Sequence, residues 1–177
     1  MGAKESRWTS PLSKGFRHMD ELRRRDLIER YMDGVRVLEA AVEGASEAEL
    51  DSRPAKGEWT AREVVHHCAD SEMTSAIRLR RLVAEDDPAI TGYDPDGFAD
   101  RLFYSVRPVR ASLDAIRGAR STSAEILLRL EERDWSRSGT HSELGPYSVE
   151  TWLEIYAEHC HDHADQIRHA RASASRE

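Results

Sequence analysis

The sequence predicts an all-α protein: a four-helix bundle with a long connection between its second and third helices. Two observations carry this expectation. Apolar residues recur at three- and four-residue spacing in four long stretches, and proline and glycine punctuate the chain between them. A length of 177 residues suits one domain with a core of its own. Charged residues make up 33% against 39% apolar, a mix that gives helices heavily solvated outer faces. Four such helices bury their stripes only against one another, which is bundle architecture.

Residues 1–19 lack periodicity and carry Gly2, Pro11 and Gly15. They read as an irregular leader, with Trp8 and Phe16 able to lie along the domain. The domain proper is expected over 20–172, followed by a short C-terminal tail, 173–177. The first helix spans about Asp20 to Val42, with the stripe Ile28, Tyr31, Met32, Val35, Leu38 and Val42, and Gly44 stops it. Ser46 to Glu49 form a capping box for a short turn of helix. Pro54 and Gly57 then break the chain. Thr60-Ala61-Arg62-Glu63 is a second capping box, opening a helix that runs to about Glu85. Its apolar arc is Val64, Cys68, Ala76, Leu79, Leu82 and Val83. His67 lies at the edge of that arc beside Ser71, Ser75 and Arg78, whereas His66 and Glu63 fall toward the polar face with Asp70 and Arg81.

From 86 to 107 the pattern lapses around Pro88, Gly92, Pro95 and Gly97, with a helical turn expected near Phe98 to Tyr104. So long a connection either crosses the end of the bundle or covers a site. Pro108 is placed to open the third helix at its first position. Val109, Leu113, Ile116, Leu127 and Leu130 mark its inner face. Arg120 and Ser123 interrupt that face, either as a local exposure or as the polar lining of a cavity. Residues 134–147 are turn-rich and could hold a short hairpin. Ser148 caps the last helix, which runs to about Ala172.

That last helix carries His159-Cys160-His161-Asp162-His163. Val149, Trp152, Tyr156, Cys160, Ile167 and Ala170 share one arc, and His159 and His163 fall inside it. His161 and Glu158 fall on the far side. Two imidazoles one turn apart on an inner face are either core histidines satisfied by hydrogen bonds or a pair of metal ligands. His67 alone reads as a boundary histidine, or as a third ligand from the second helix. Three imidazoles with one open position would be a catalytic metal pattern, and neutral imidazole does not select among Zn, Ni, Fe and Cu. The zincin pattern fails because Cys160 follows His159 where a glutamate is required. A di-iron site would use Glu63 with His66 and Glu158 with His161, yet the helical phase puts Glu63, Glu158 and His161 outward. Cys68 and Cys160 read as core residues, with a redox or sulfur-ligand role as the lesser alternative.

Charge and composition narrow the partners. A net charge of −7 argues against general nucleic-acid binding, so Arg23-Arg24-Arg25 reads as a solvated helix start. No apolar run approaches the roughly 18 residues of a membrane span, and no apolar segment follows the basic residues near the N-terminus, so a signal peptide is not expected. Two cysteines make no disulfide framework, and the cytoplasm is the expected compartment.

Several short pieces, taken together, carry a resemblance. They are Trp59-Thr60, Val64-Val65-His66-His67, Ala69-Asp70-Ser71, Tyr93-Asp94, and Tyr156 to His163 with Gln166-Ile167. In order and separation they resemble the DinB/YfiT-like superfamily, nearest the branch of metal-dependent hydrolases and bacillithiol transferases, over about residues 10–170. The resemblance implies a crossed-over bundle, with the metal triad on His67, His159 and His163 and a zinc or nickel ion. It also implies a small-molecule substrate, with hydrolysis or transfer of a low-molecular-weight thiol as the reaction, and pairing into a homodimer. Asp70, Tyr93 and Arg120 are candidate pocket or supporting residues. Where relatives are expected to carry a Leu-His pair on the third helix, this chain has Ile116-Arg117. The rival class is a non-catalytic metal- or ligand-binding bundle of a stress response.

Overall fold

The computed structural model describes residues 19–174. The expected leader, with Trp8 and Phe16, lies outside the described residues up to position 18, as does the tail from 175 onward. The order is α1 (Glu21–Val42), α2 (Glu47–Asp51), α3 (Ala61–Ala84), β1 (Ala89–Ile90), α4 (Pro95–Arg101), α5 (Arg110–Leu127), α6 (Glu132–Trp135), β2 (Ser138–His141), β3 (Gly145–Ser148) and α7 (Val149–Ser173). The long helices α1, α3, α5 and α7 form the bundle.

Helix starts follow the capping chemistry of the sequence. The side chains of Asp20, Ser46, Thr60 and Ser148 each accept a backbone N–H from the first turn. At Ser46 and Thr60 the reciprocal bond from Glu49 and Glu63 completes a capping box. The third long helix starts later than expected. Arg110 is its first residue and Val109 its cap, leaving Pro108 just outside. The Arg107 carbonyl accepts from Arg62 Nη1 and pairs with His66 Nε2, each at 3.0 Å, so α3 holds the chain before the proline. On α1 the buried arc is Leu27, Tyr31, Gly34, Leu38 and Ala41, and Met32 is turned outward. This phase keeps helical spacing while bringing Arg24 inside, where it pairs with Glu132 and Glu150.

The helices are not stacked in chain order. α1 packs on α7 and α5, and α3 packs on the same two, so α1 and α3 face each other across the diagonal. Ion pairs and hydrogen bonds give the directions. Arg24 meets Glu150 and Arg30 meets Glu158, so α1 and α7 run parallel. His66 meets Ser112 and Arg80 meets Thr122, so α3 and α5 run parallel too. Two parallel neighbours cannot be joined by a tight turn. After α3 the chain must return along a helix of about 36 Å, at ~1.5 Å rise per residue, which explains the connection 85–109. That connection is more ordered than its composition suggests. β1 pairs parallel with β2, β2 pairs antiparallel with β3, and Asp94 caps α4. A two-residue strand and a seven-residue helix are too short to show a period.

The core has two apolar halves. One gathers Leu27, Leu79, Leu82, Leu127, Trp135 and Trp152; the other gathers Leu38, Val64, Cys68, Ile116, Cys160 and Ile167. Between them lies a buried polar layer, with Glu72, Ser75, Arg120 and Ser123 at 1% exposure or less. No described helix is long and apolar enough to cross a membrane.

Candidate metal centre

α3 and α7 run antiparallel, which sets His67 against His163 and Ser71 against His159. The one-turn spacing of His159 and His163 sets their rings edge to face at 4.5 Å between centroids. His67 closes the triangle at 4.8 Å from His163 and 5.6 Å from His159. One nitrogen from each ring lies within 4.8 Å of the other two. His67 and His159 are buried, and His163 is partly exposed at the mouth.

Each ring is set up differently. His163 Nδ1 lies 2.8 Å from Gln166 Oε1; with Nδ1–H donating there, Nε2 keeps its lone pair. His67 Nδ1 is buried with no hydrogen-bond partner. His159 Nδ1 is likewise unpartnered and stands 3.7 Å from Glu72 Oε1, while its Nε2 lies 3.3 Å from Ser71 Oγ. His67 and His159 each keep a buried nitrogen without a hydrogen-bond partner, and three rings this close fit a divalent transition ion, which takes neutral imidazole and leaves a position open. Burial, helped by the neighbouring imidazoles, drives His67 well below its ordinary pKa and His163 down to about 3, so both stay neutral. Burial also opposes charge on His159, but the Cys160 sulfur and the Glu72 carboxylate outweigh it and lift the ring to about 9.

Glu72 was not singled out from the sequence. Its Oε1 accepts from Arg120 Nη2 at 2.7 Å, and its Oε2 accepts from Tyr31 at 3.4 Å. Arg120 also donates to the Tyr31 carbonyl and, at 2.8 Å, to the Tyr156 carbonyl, and it covers the Tyr31 ring. Arg120 is therefore sealed in the interior behind His159. A signal was available: Glu72 and Arg120 are opposite charges, each interrupting an apolar stripe. Glu72, His159 and Cys160 also group closely enough to suggest a metal site, but Arg120 already neutralises that carboxylate.

The other candidate residues separate. Tyr93 is partly buried, stacks on Phe98 at 4.5 Å, and has its hydroxyl pushed up to about 12 by burial. Asp70 accepts from Tyr104 and touches none of the three histidines in any hydrogen bond. Trp59 packs on His67 at 4.8 Å and Tyr156 on His159 at 5.5 Å, giving the site aromatic walls. Cys68 and Cys160 are free and fully buried in the apolar cluster.

The expected polar placement of His66 and Glu63 is overturned. Both are buried, at 1% and 8% exposure. His66 bonds Ser112 Oγ at 2.7 Å and the Arg107 carbonyl, and Glu63 bonds Arg53. The returning connection and α5 cover His66, and Arg53, from the segment between α2 and α3, lies against Glu63. Glu158 and His161 do turn outward, toward Arg30 on α1. The two Glu-x-x-His pairs therefore face different neighbours and do not form a di-iron site.

A sequence profile of the DinB superfamily matches residues 33–167. The chain belongs to the DinB superfamily. Among its relatives, a protein of Oceanobacillus iheyensis named "putative metal-dependent hydrolase" is 33% identical over 140 residues, covering 79% of this chain and 81% of the relative. One of the same name from Bacillus thuringiensis is 31% identical over 134 residues, covering 76% and 77%. Among solved structures, YfiT from Bacillus subtilis superposes with a TM-score of 0.82 at 27% identity, covering 92% of each chain. It is described as "a probable metal-dependent hydrolase with an unusual four-helix bundle topology". The DinB chain described here shares that bundle, and its crossed helix order accounts for the long return between α3 and α5.

Proposed function

We propose that this DinB protein is a metal-dependent hydrolase of small molecules, holding one divalent transition ion on His67, His159 and His163. The observation that carries the reading is the convergence of three imidazole nitrogens within 4.8 Å, two rings having a buried nitrogen without a partner. The names of the relatives support the same reaction class. An ion so held would acidify a water or thiol at its remaining position and polarise the bond under attack.

The chain's own residues supply the rest. Gln166 fixes the tautomer of His163, and Glu72, braced by Arg120, orients His159. Trp59 and Tyr156 limit water around the rings. Ser71 Oγ, beside His159 Nε2, can offer a hydrogen bond to whatever enters next to that ring.

Transfer of a low-molecular-weight thiol is a second reading, favoured by the donor set. Three imidazoles, each without a proton at the ligating nitrogen once it binds, would leave the full charge of the ion to stabilise an anionic sulfur. Zinc and nickel both suit the donors. Pairing into a homodimer belongs to the same proposal, and light scattering reads it directly.

The decisive experiment is elemental analysis of purified protein, followed by ester, amide and thiol-consumption assays with and without metal. About one divalent ion per chain is expected, with turnover that chelation abolishes. Protein that holds none and takes up none on titration overturns the proposal. Bound metal with no turnover in any assay favours the non-catalytic bundle.

A further inference from the structure

Arg78 differs from the arginines of the bundle that are paired with carboxylates. Arg24, Arg62 and Arg120 each sit against carboxylates. Arg78 has no carboxylate within ion-pair distance among the described residues. Its Nη2 donates to the Thr91 carbonyl at 2.7 Å, its Nη1 reaches the Tyr156 hydroxyl at 3.4 Å, and its Nε is buried with no partner. The guanidinium stands 5.9 Å from the Tyr93 ring, and Tyr147 and His141 also feel its charge. A guanidinium partly stripped of water and facing tyrosines rather than an anion is an expensive arrangement.

Its location gives that arrangement a purpose. Tyr156 packs on His159 with ring centroids 5.5 Å apart, and its hydroxyl is the group that Arg78 Nη1 reaches. Tyr156 therefore links the candidate metal ligand His159 to Arg78 across the seam of α3 and α7. The connection after α3 crosses this seam through Thr91 and Tyr93.

We propose that Arg78, with the hydroxyls of Tyr93 and Tyr156, forms an oxyanion-binding subsite. It would hold a carboxylate or phosphate on the substrate while another part of that molecule is presented to the three histidines. Arginine suits such a group because its planar fork offers several N–H donors at once. This deepens the proposed function by naming a substrate class, small anionic molecules, and it rests on that reading for the reacting end only.

The test uses the full chain, 15N-labelled and freed of metal with a chelator, so that anion binding and metal binding are read separately. Sodium acetate, inorganic phosphate and sodium chloride are titrated at constant ionic strength. The Arg78 Nε–H signal is identified by its absence from Arg78→Lys. A saturable shift of that signal with acetate or phosphate, and none with chloride, is expected; the stronger of the two identifies the anion. Arg78→Gln should weaken binding at least tenfold, read from the Ser71 and Tyr93 amide signals, and Arg78→Lys should weaken it less. Should Arg78→Gln fail to fold by circular dichroism, the wild-type Nε–H signal and Arg78→Lys decide alone. Shifts no larger than those with chloride, or undiminished binding in Arg78→Gln, overturn the subsite. Binding here by a protein that takes up no metal overturns the metal reading and leaves the subsite standing.

Discussion

At the residue scale, the site rests on which imidazoles converge and which are engaged elsewhere. His67→Ala, His159→Ala and His163→Ala each remove one of three proposed ligands. Each should lower metal affinity by more than the roughly 10–100-fold that loss of a supporting contact produces. His161 lies outside the triangle, bonded to the Arg30 carbonyl, so His161→Ala should keep the metal. Chelator competition on folded variants separates the four; metal loss in His161→Ala with retention in His159→Ala would refute the assignment. His66→Ala is a different case. It leaves Ser112 and the Arg107 carbonyl short of a buried partner, a cost of about 1–3 kcal/mol in stability with metal affinity largely kept. Glu72→Gln tests the bracing of His159. It strips the buried Arg120 of its counter-charge, so denaturant unfolding should show a loss of ~3–5 kcal/mol, with metal affinity about tenfold lower or worse. Unchanged affinity in folded Glu72→Gln would mean that the carboxylate serves the core alone.

How much of this was legible in the sequence follows from the same residues. The inner phase of His159 and His163 could be read from a helical wheel, because α7 is long and regular and is buried on the arc its apolar residues mark. His66 and Glu63 could not, since what covers them comes from other segments, the connection and α5 over His66 and Arg53 against Glu63, and a wheel describes one helix at a time. Glu72 and Arg120 were visible as interruptions of two stripes, but their pairing depends on which helices are neighbours.

At the element scale, a close approach constrains α1. A Cβ on Gly34 would lie 2.3 Å from Arg120 Nη1 and 3.0 Å from the Cys160 Cβ. A mid-helix glycine costs about 1 kcal/mol of helix propensity against alanine, so Gly34→Ala at an open position would stabilise α1. Here it must displace the guanidinium that holds Glu72. Net destabilisation is expected, with a lower denaturant midpoint and weaker metal binding; a rise in the midpoint would show that Arg120 relocates freely. The capping motifs and four helical stripes were plain in the sequence because each is a local pattern. The turn-rich stretch 134–147 also allowed the hairpin of β2 and β3 to be read, but β1 could not be: it is two residues long and finds its partner some fifty positions later.

At the scale of the whole molecule, protons and metal compete for one set of nitrogens. In metal-free protein, burial holds His67 and His163 below their ordinary value, His163 at about 3. The unfolded chain binds more protons than the folded one once the pH drops below about 6.5, so stability should fall progressively from there toward acid. Metal should counter this near neutrality. An ion present at a thousand times its Kd adds about 4 kcal/mol, worth on the order of 10 °C in Tm for a chain of this size. Calorimetry with and without chelator, at neutral and mildly acidic pH, checks both trends. Equal Tm values at neutral pH would argue against an ion held by the folded state.

The parallel pairing of α1 with α7 reaches beyond the finished molecule. A ribosome delivers α7 last of the four long helices, and α7 brings two of the three proposed ligands together with the partner surface of both α1 and α3. Until it emerges, α1 and α3 meet only across a diagonal, and the polar layer around Glu72 lacks one wall. Such long-range pairing slows folding, because distant segments must be brought together before their contacts contribute. A nascent chain halted before α7 would therefore expose apolar stripes, and it would have no His159 or His163 with which to capture an ion. Metal uptake would then report that synthesis had run through the last helix.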